Sequence, residues 1–444
     1  MSKKVFLKGT LILACTGLVS RIAGFFYRIF LSHAIGAEGL GLYQLILPLQ
    51  GLMAALSYTG IQSALSRLIA SRLALQEKKE AYFSLVTGIF AAVFFSAVTG
   101  FLLFRHADFF ASTILKAPGT SDLLRLTAAS IPLCAIHSCI DSYYYARKKA
   151  SVPAAVQLSE QAVRIGATYI LYLIFLSEGR PVTAMIAAGG SLAGEAAASL
   201  ISLLMVSFHF GNHPVKEKTS VKIFPLIKDL FTLSFPISLN RILLTLLGSI
   251  EAVLIPQMLI RCGMTSSEAL KIYGIFTGMA LPLLLFPSTL TTSAAVMLMP
   301  SVARMDALGD QKQIRHVTDQ TFFLCMFLGF LCGSGFFLFG PFLGTLLFHS
   351  KTAGTYIRYL SFICPFLYTN TMLASILQGL GRPGRCLIHS AAGILIRIFS
   401  VVFMIPAIGI RGYFYGIFLG ELLLSLLHVK ALKFSYRQAG DNRL

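Results

Sequence analysis

Long apolar stretches separated by short polar segments dominate the chain. Most of these stretches are about 20 residues or longer, the length that an α-helix needs to cross ~30 Å of hydrocarbon. Membrane β-barrels instead show short alternating segments. The pattern therefore predicts about twelve transmembrane helices. Their predicted bounds are 7–31, 42–66, 82–104, 124–146, 152–176, 182–208, 230–255, 272–300, 320–348, 355–380, 386–406 and 411–432.

Composition and charge agree with an integral membrane protein. The chain is 56% hydrophobic and only 12% charged, whereas a soluble domain has about 25% charged residues. Its net charge of +19 does not indicate a nucleic-acid partner, because lysine and arginine concentrate at both termini and in alternate loops. By the positive-inside rule we expect a multi-pass protein of the plasma membrane with both termini cytoplasmic.

A basic segment with several lysines separates six predicted spans from the next six. We predict an N-terminal six-helix lobe at 1–210, a cytoplasmic basic linker at 211–229 and a C-terminal six-helix lobe at 230–434. Residues 435–444 would form a cytoplasmic tail.

The two halves resemble each other as a weak parallel repeat. Pro132 is followed 32 residues later by Arg164, and Pro365 is followed 32 residues later by Arg397. An even number of spans in each half gives lobes related by an axis along the membrane normal, and such lobes enclose a central cavity in many transporters. The predicted fold class is an all-α polytopic membrane protein with two six-helix lobes related by a parallel pseudo-twofold repeat.

Arginines within predicted spans point to an anionic substrate. A charge at mid-bilayer costs at least ~3 kcal/mol, so it usually faces a protein interior or a wet cavity. Arg21 and Arg28 lie in the first span, which has no acidic residue. Seven residues apart on a helix, they share one face about 10 Å apart. Because guanidinium groups bind phosphate with two parallel hydrogen bonds, we expect a diphosphate headgroup at Arg21, Arg28 and Arg241. The alternatives are pairing with acids of other spans, such as Glu251 or Glu195, and snorkelling to a membrane interface.

Other charged residues within spans suggest structural ion pairs. Glu160 and Arg164 are four residues apart in the favourable order for a helical pair. Arg397 has no local acid, and Glu421 in the last span is its predicted partner.

Three residues are candidates for a counterion or for coupling to an ion. Glu251 follows Arg241 by ten residues in the same span, and His137 and Asp141 are four residues apart. Intramembrane His and Asp can relay protons, although a satisfied polar pair is the simpler interpretation. No cofactor is expected beyond a coupling ion, Na⁺ or H⁺.

Span 8 contains Gly278, Pro282 and Pro287. Proline removes a backbone hydrogen bond and kinks a helix, so we predict a bent span whose bend is either static or a hinge.

The chain shows no sign of catalysis or of a metal site. Its eight cysteines form no Cys-x-x-Cys pair, so we expect free buried thiols rather than disulfides or metal ligands. It has no Walker, HExxH or GxSxG motif. We therefore expect a protein that is not an enzyme.

Several motifs resemble the stage V sporulation protein B family, a branch of the multidrug/oligosaccharidyl-lipid/polysaccharide (MOP) superfamily. The motifs are Ser20-Arg21-x-x-Gly24-Phe25-x-x-Arg28, Ile35-Gly36-Ala37-Glu38-Gly39-Leu40-Gly41-Leu42-Tyr43-Gln44 and Leu377-Gln378-Gly379-Leu380-Gly381-Arg382-Pro383. The resemblance implies a flippase that moves an undecaprenyl-diphosphate-linked saccharide, such as a peptidoglycan, spore-cortex or polysaccharide precursor, from the inner to the outer leaflet by alternating access. Its partners would be that lipid-linked saccharide, the bilayer and cell-wall synthesis proteins.

A more distant resemblance connects the chain to MurJ-type lipid II flippases, with two departures in the expected cavity. Where those flippases carry paired arginines after a Leu-Pro, this chain has Leu52-Met53, and Thr277 stands where they carry an arginine in span 8. Arg241 is the candidate substitute. The family usually has fourteen spans, so we expect the lipid-tail groove of the final pair to be missing.

Two other functions fit parts of the pattern. A cation-coupled multidrug exporter of the same superfamily should offer acids to cationic drugs, and the acid-free first span argues against it. A non-transporting scaffold in envelope or spore assembly would keep every arginine paired, so that removing one would harm folding only.

Overall fold

A computed structural model describes residues 3–212 and 223–441, and these residues are almost entirely helical, with no β-strand among them. Within this described part, ten helical stretches are long and apolar enough to cross a membrane. The first and fifth predicted spans are also helical, but they are not among these ten. The first carries Arg21 and Arg28, and the fifth carries the Glu160–Arg164 pair. The predicted all-α polytopic fold is confirmed.

The helices are numbered in chain order. They are α1 (Lys3–Ala34), α2 (Gly36–Ser57), α3 (Thr59–Ala74), α4 (Lys78–Arg105), α5 (Ala107–Phe109), α6 (Ser121–Ala146), α7 (Ser151–Ser177), α8 (Met185–Asn212), α9 (Ile223–Arg261), α10 (Ser266–Gly274), α11 (Leu281–Leu285), α12 (Ser288–Ala307), α13 (Gln311–Phe348), α14 (Lys351–Leu360), α15 (Cys364–Gly379), α16 (Pro383–Phe403), α17 (Ile405–Ile408) and α18 (Ile410–Asp441). Short π-helical turns lie at Phe110–Ile114 and Ile275–Ala280, and 3₁₀ turns at Pro118–Thr120 and Ser361–Ile363.

The chain divides into two compact units. Unit 1 comprises Met1–Gly24 and Leu42–Ser249, and unit 2 comprises Phe25–Gly41 and Ile250–Leu444. The long helices α1 and α9 therefore each contribute a segment to both units. Of the predicted linker at 211–229, residues 213–222 lie outside the described residues, while 223–229 already belong to α9.

Unit 1 is built on an apolar core between α3, α4 and α6. Leu65, Leu85 and Cys139 are almost completely buried there. Gly88 lets α4 approach α3, because a Cβ at that position would stand 2.8 Å from the Leu65 side chain. α8 packs against both α6 and α7, and this arrangement brings the polar residues of these three helices together.

Unit 2 contains a close crossing between the start of α2 and α10. A Cβ at Gly41 would lie 2.1 Å from the Leu270 carbonyl oxygen, and one at Gly274 would lie 2.1 Å from the Ala37 carbonyl oxygen. No side chain fits at either position, so the two glycines allow backbone-to-backbone contact.

Several predicted spans are interrupted in the structure, among them spans 2 and 8. Span 8 contains a π-helical turn over Gly278, restarts as α11 at Leu281 and breaks again before α12, with Pro287 at its N-terminal cap. Proline lacks the amide hydrogen that a continuous helix would need here. The single helix predicted at 42–66 is wrong, because the chain turns at Tyr58 and splits this span into α2 and α3.

Candidate functional site

The three predicted substrate arginines lie on two helices. Arg21 and Arg28 are both on α1, which continues through them without a break, and Arg241 is on α9. Arg21 and Arg241 are exposed, whereas Arg28 is half-buried. Since α1 carries three lysines, two arginines and no acidic residue, any acid that compensates its charge belongs to another helix or to a ligand.

A buried ion pair in unit 2 joins Arg397 of α16 to Glu251 of α9. Arg397 donates from Nε to Glu251 Oε1 over 2.7 Å and from Nη2 to Oε2 over 3.0 Å. The Tyr413 hydroxyl donates a third hydrogen bond to Oε1 over 2.7 Å. Such a two-pronged contact fixes the geometry of both side chains, so the structure places Glu251 as the main counterion of Arg397.

Glu421 of α18 completes this unit 2 cluster. Its Oε1 lies 3.5 Å from Arg397 Nη1, and its Oε2 accepts a hydrogen bond of 2.8 Å from Asn370 Nδ2. Asn370 is held in turn by Ser425, whose hydroxyl donates to Oδ1. Two carboxylates therefore share one guanidinium, which leaves one negative charge in excess when both are ionised.

A second cluster lies in unit 1, around Arg164 of α7. Arg164 forms an ion pair with Glu160 one turn earlier, and its Nη2 is 3.6 Å from Glu195 Oε1 on α8. Glu195 Oε2 is 2.9 Å from His137 Nε2 on α6. His137 Nδ1 is 3.9 Å from Asp141 Oδ2. The cluster thus joins three helices and contains three carboxylates for one arginine.

The two clusters occupy equivalent positions in the internal repeat. An interval of 233 residues separates Pro132 from Pro365, and the same interval separates His137 from Asn370 and Arg164 from Arg397. The repeat therefore carries a polar cluster in each unit, and a titratable imidazole in unit 1 stands where unit 2 has a neutral amide.

A repeated Gly-x-x-x-Gly-Glu motif places the second acid of each cluster. It reads Gly190-Ser-Leu-Ala-Gly194-Glu195 in α8 and Gly416-Ile-Phe-Leu-Gly420-Glu421 in α18. A Cβ at Gly194 would lie 3.1 Å from Arg164 Cβ, and one at Gly420 would lie 3.1 Å from Arg397 Cγ. Small residues let the helices approach closely, so the glutamate that follows reaches the arginine.

Two features of the sequence could have located these clusters. One is the repeated Gly-x-x-x-Gly-Glu motif. The other is the Cys134-x-x-His137 spacing on α6; the expectation that the cysteines have no ligand spacing with histidine is wrong at this position. Cys134, His137 and Glu195 have ligand atoms within 4.8 Å of one another.

Comparison with known proteins assigns the family. The sequence profile of the family described as polysaccharide biosynthesis protein matches residues 6–306. The chain belongs to this family. Stage V sporulation protein B of Bacillus subtilis (strain 168) is 30% identical to this chain over 440 residues. The match covers 96% of this chain and 83% of that protein. Lipid II flippase MurJ of the same organism is 22% identical, covering 96% of this chain and 82% of that protein.

Solved structures of other transporters share the fold of this chain. An inward-facing multidrug resistance MATE family transporter of the MOP superfamily has a TM-score of 0.70 at 16% identity, covering 96% of this chain and 99% of that one. A MOP superfamily transporter from Pyrococcus furiosus, described as having a binding pocket of reverse polarity, has a TM-score of 0.68 at 16% identity and covers 99% of both chains. The fold is therefore that of MOP superfamily transporters.

Proposed function

We propose that this protein is a flippase for an undecaprenyl-diphosphate-linked saccharide, a precursor of peptidoglycan, spore cortex or another polysaccharide. It would carry the substrate from the inner to the outer leaflet of the plasma membrane by alternating access, with both chain termini in the cytoplasm. Relatives named stage V sporulation protein B and lipid II flippase MurJ support this substrate class.

The observation that carries the proposal is the distribution of intramembrane charge. The carboxylates of Glu160 and Glu195 contact Arg164, and those of Glu251 and Glu421 contact Arg397. By contrast, the charged residues of α1 are all basic. A pocket for cationic drugs would need carboxylates directed at its ligand, whereas basic residues favour an anionic one.

In this proposal, Arg21, Arg28 and Arg241 bind the diphosphate. A guanidinium group presents donors in a rigid fork that matches two phosphate oxygens, and it stays charged at any physiological pH. The successive positions of Arg21 and Arg28 along α1 would let the headgroup pass from one to the other, while the polyprenyl chain stays in lipid.

The membrane potential supplies part of the driving force. Moving one charge across 100 mV is worth ~2.3 kcal/mol, and an inside-negative potential drives an anionic headgroup outward. A monovalent coupling ion, Na⁺ or H⁺, would act at the unit 2 cluster, where two carboxylates share one arginine.

The direct test is lipid flipping in proteoliposomes. Purified protein would be reconstituted with a fluorescent undecaprenyl-diphosphate saccharide in the inner leaflet, under an imposed inside-negative potential. We expect the label to become accessible to an external quencher faster than in protein-free liposomes, and the rate to fall when the potential is removed.

One result would overturn the proposal, and a second assay would then distinguish the alternatives. Lipid flipping is excluded if protein shown by circular dichroism to be folded gives the same quenching rate as protein-free liposomes with several glycans. Export of a fluorescent cationic drug by the same preparation would then identify a drug exporter, and inactivity in both assays would favour a scaffold.

A further inference from the structure

We propose that Cys134, His137 and Glu195 bind a divalent transition-metal ion, with Zn²⁺ preferred, inside unit 1. Cys134 and His137 are three residues apart on α6 and therefore lie on the same side of that helix. Glu195 approaches from α8. Their ligand atoms, Sγ, a ring nitrogen and a carboxylate oxygen, already lie within 4.8 Å of one another.

The ligand atoms need shifts of about 1 Å to reach the spacing of a zinc site. In a tetrahedral zinc site with bonds of about 2.0–2.3 Å, neighbouring ligand atoms are roughly 3.3–3.7 Å apart. His137 Nε2 and Glu195 Oε2 are 2.9 Å apart, bridged by a hydrogen bond. A metal ion would replace the proton between them after the two side chains separate by less than about 1 Å.

The residues that would orient the ligands are also present. His137 Nδ1 and Asp141 Oδ1 are buried atoms that, within the described part of the chain, have no hydrogen-bond partner. Metal at Nε2 would fix the remaining hydrogen on Nδ1, which faces Asp141 Oδ2 at 3.9 Å. A carboxylate behind a metal-bound histidine is the usual arrangement in zinc proteins. On the other side, Arg164 orients the Glu195 carboxylate through Oε1.

Charge in the cluster favours a divalent ion. Glu160, Glu195 and Asp141 carry three negative charges when ionised, the Cys134 thiolate adds a fourth when it binds the metal, and Arg164 supplies one positive charge. An uncompensated charge among apolar helices is costly, and a divalent cation reduces the negative excess from three to one. The thiol of Cys134, which is 6% exposed, and the imidazole select zinc or a similar ion over Na⁺, Mg²⁺ and Ca²⁺, which prefer oxygen ligands.

The unit 2 cluster lacks this donor set. One repeat interval after Cys134 and His137 stand Leu367 and Asn370, which offer neither a thiolate nor an imidazole. The Cys-His-Glu donor set is therefore present in the unit 1 cluster and absent from the equivalent cluster of unit 2.

Cobalt(II) provides a spectroscopic test with full-length protein in detergent. The protein would be stripped with a chelator and titrated with Co²⁺, then with Zn²⁺ as competitor. We expect one ion per chain, a thiolate-to-cobalt charge-transfer band and visible bands typical of tetrahedral cobalt, all removed by Zn²⁺. Absence of saturable binding by the wild type would overturn the proposal.

Variants assign the ligands. Cys134→Ser should abolish the charge-transfer band, and His137→Asn, which copies the unit 2 residue, should weaken binding at least ~10-fold. Cys139→Ser is the matched control, because this buried thiol lies on the same helix and faces the Gly88 carbonyl instead. Equal bands in wild type and Cys134→Ser, or loss of the band in Cys139→Ser alone, would contradict the assignment.

If Cys134→Ser or His137→Asn does not fold, X-ray absorption spectroscopy of Zn²⁺ bound to the Cys139→Ser protein still tests the proposal, because it reports which atoms coordinate the ion. One sulfur ligand together with nitrogen and oxygen ligands supports the site. A shell of oxygen and nitrogen alone overturns it.

Discussion

Arg397 holds Glu251 through two hydrogen bonds, of 2.7 and 3.0 Å, although the two residues are 146 positions apart in the chain. The pair connects α16 to α9 within unit 2, and Glu251 is 5% exposed. A buried charge that loses its partner is strongly destabilising, whereas a complete pair is close to neutral against apolar residues. We therefore expect substitution of Glu251 or Arg397 alone to destabilise the protein more than substitution of both together.

Glu251→Gln should destabilise the protein by about 3 kcal/mol, since Arg397 would keep only the more distant Glu421 as a charged partner. Thermal unfolding followed by circular dichroism measures this, because the chain has no tryptophan for fluorescence. Glu178→Gln is the control: Glu178 pairs with Arg180 at an exposed position, and the change should cost less than ~1 kcal/mol. Equal unfolding temperatures for the two variants would contradict a structural role.

The double variant Glu251→Leu/Arg397→Met should recover much of the stability that Glu251→Gln loses, because it removes both charges together. If the double variant is as unstable as the single one, the cluster contributes through its shape and its bonds to Tyr413 rather than through charge compensation.

Gly41→Ala should destabilise unit 2 by about 2 kcal/mol, since the new methyl group would stand 2.1 Å from the Leu270 carbonyl oxygen. Gly248→Ala is the matched control, because it lies inside α9 with no atom within 4 Å of a new Cβ. Alanine there should be neutral or stabilise the helix by up to ~1 kcal/mol. The comparison uses the same thermal unfolding, and a stable Gly41→Ala protein would show that α2 and α10 do not need their close crossing.

Pro287→Ala should slow transport without lowering stability. Alanine supplies the amide hydrogen that proline lacks, so α11 and α12 can join into one stiffer helix. The measurement is the flipping rate alongside the unfolding temperature. Pro383→Ala is the control, because Pro383 stands in the first turn of α16, where its missing hydrogen is not needed. An unchanged rate for Pro287→Ala would show that the break is a static kink.

The helices could be predicted from the sequence because hydrophobic length is a local property. The break at Tyr58 could not, since no proline marks it and glycine follows only at Gly60. There, a Cβ would stand 1.8 Å from the Ser238 hydroxyl, so the glycine after the turn allows the close approach of a residue far along the chain.

In the polar clusters, too, local pairs could be predicted from the sequence and long-range pairs could not. Glu160 and Arg164 could be paired from their spacing, because residues four apart meet on one helix. The choice of Glu251 for Arg397 could not, since it depends on how α9 and α16 are rotated against each other. We predicted Glu421, which lies 3.5 Å from Arg397 Nη1 but contacts Asn370 more closely.

The central claim is that arginines on α1 and α9 carry an anionic headgroup. The most direct measurement is the flipping rate of the undecaprenyl-diphosphate saccharide by Arg28→Ala, Arg21→Ala and Arg241→Ala, compared with Arg180→Ala, an exposed arginine in the turn between α7 and α8. We predict that the first three variants fold and lose flipping, that Arg28→Lys retains part of it, and that Arg180→Ala flips at the wild-type rate. Wild-type rates in all three alanine variants would contradict the account.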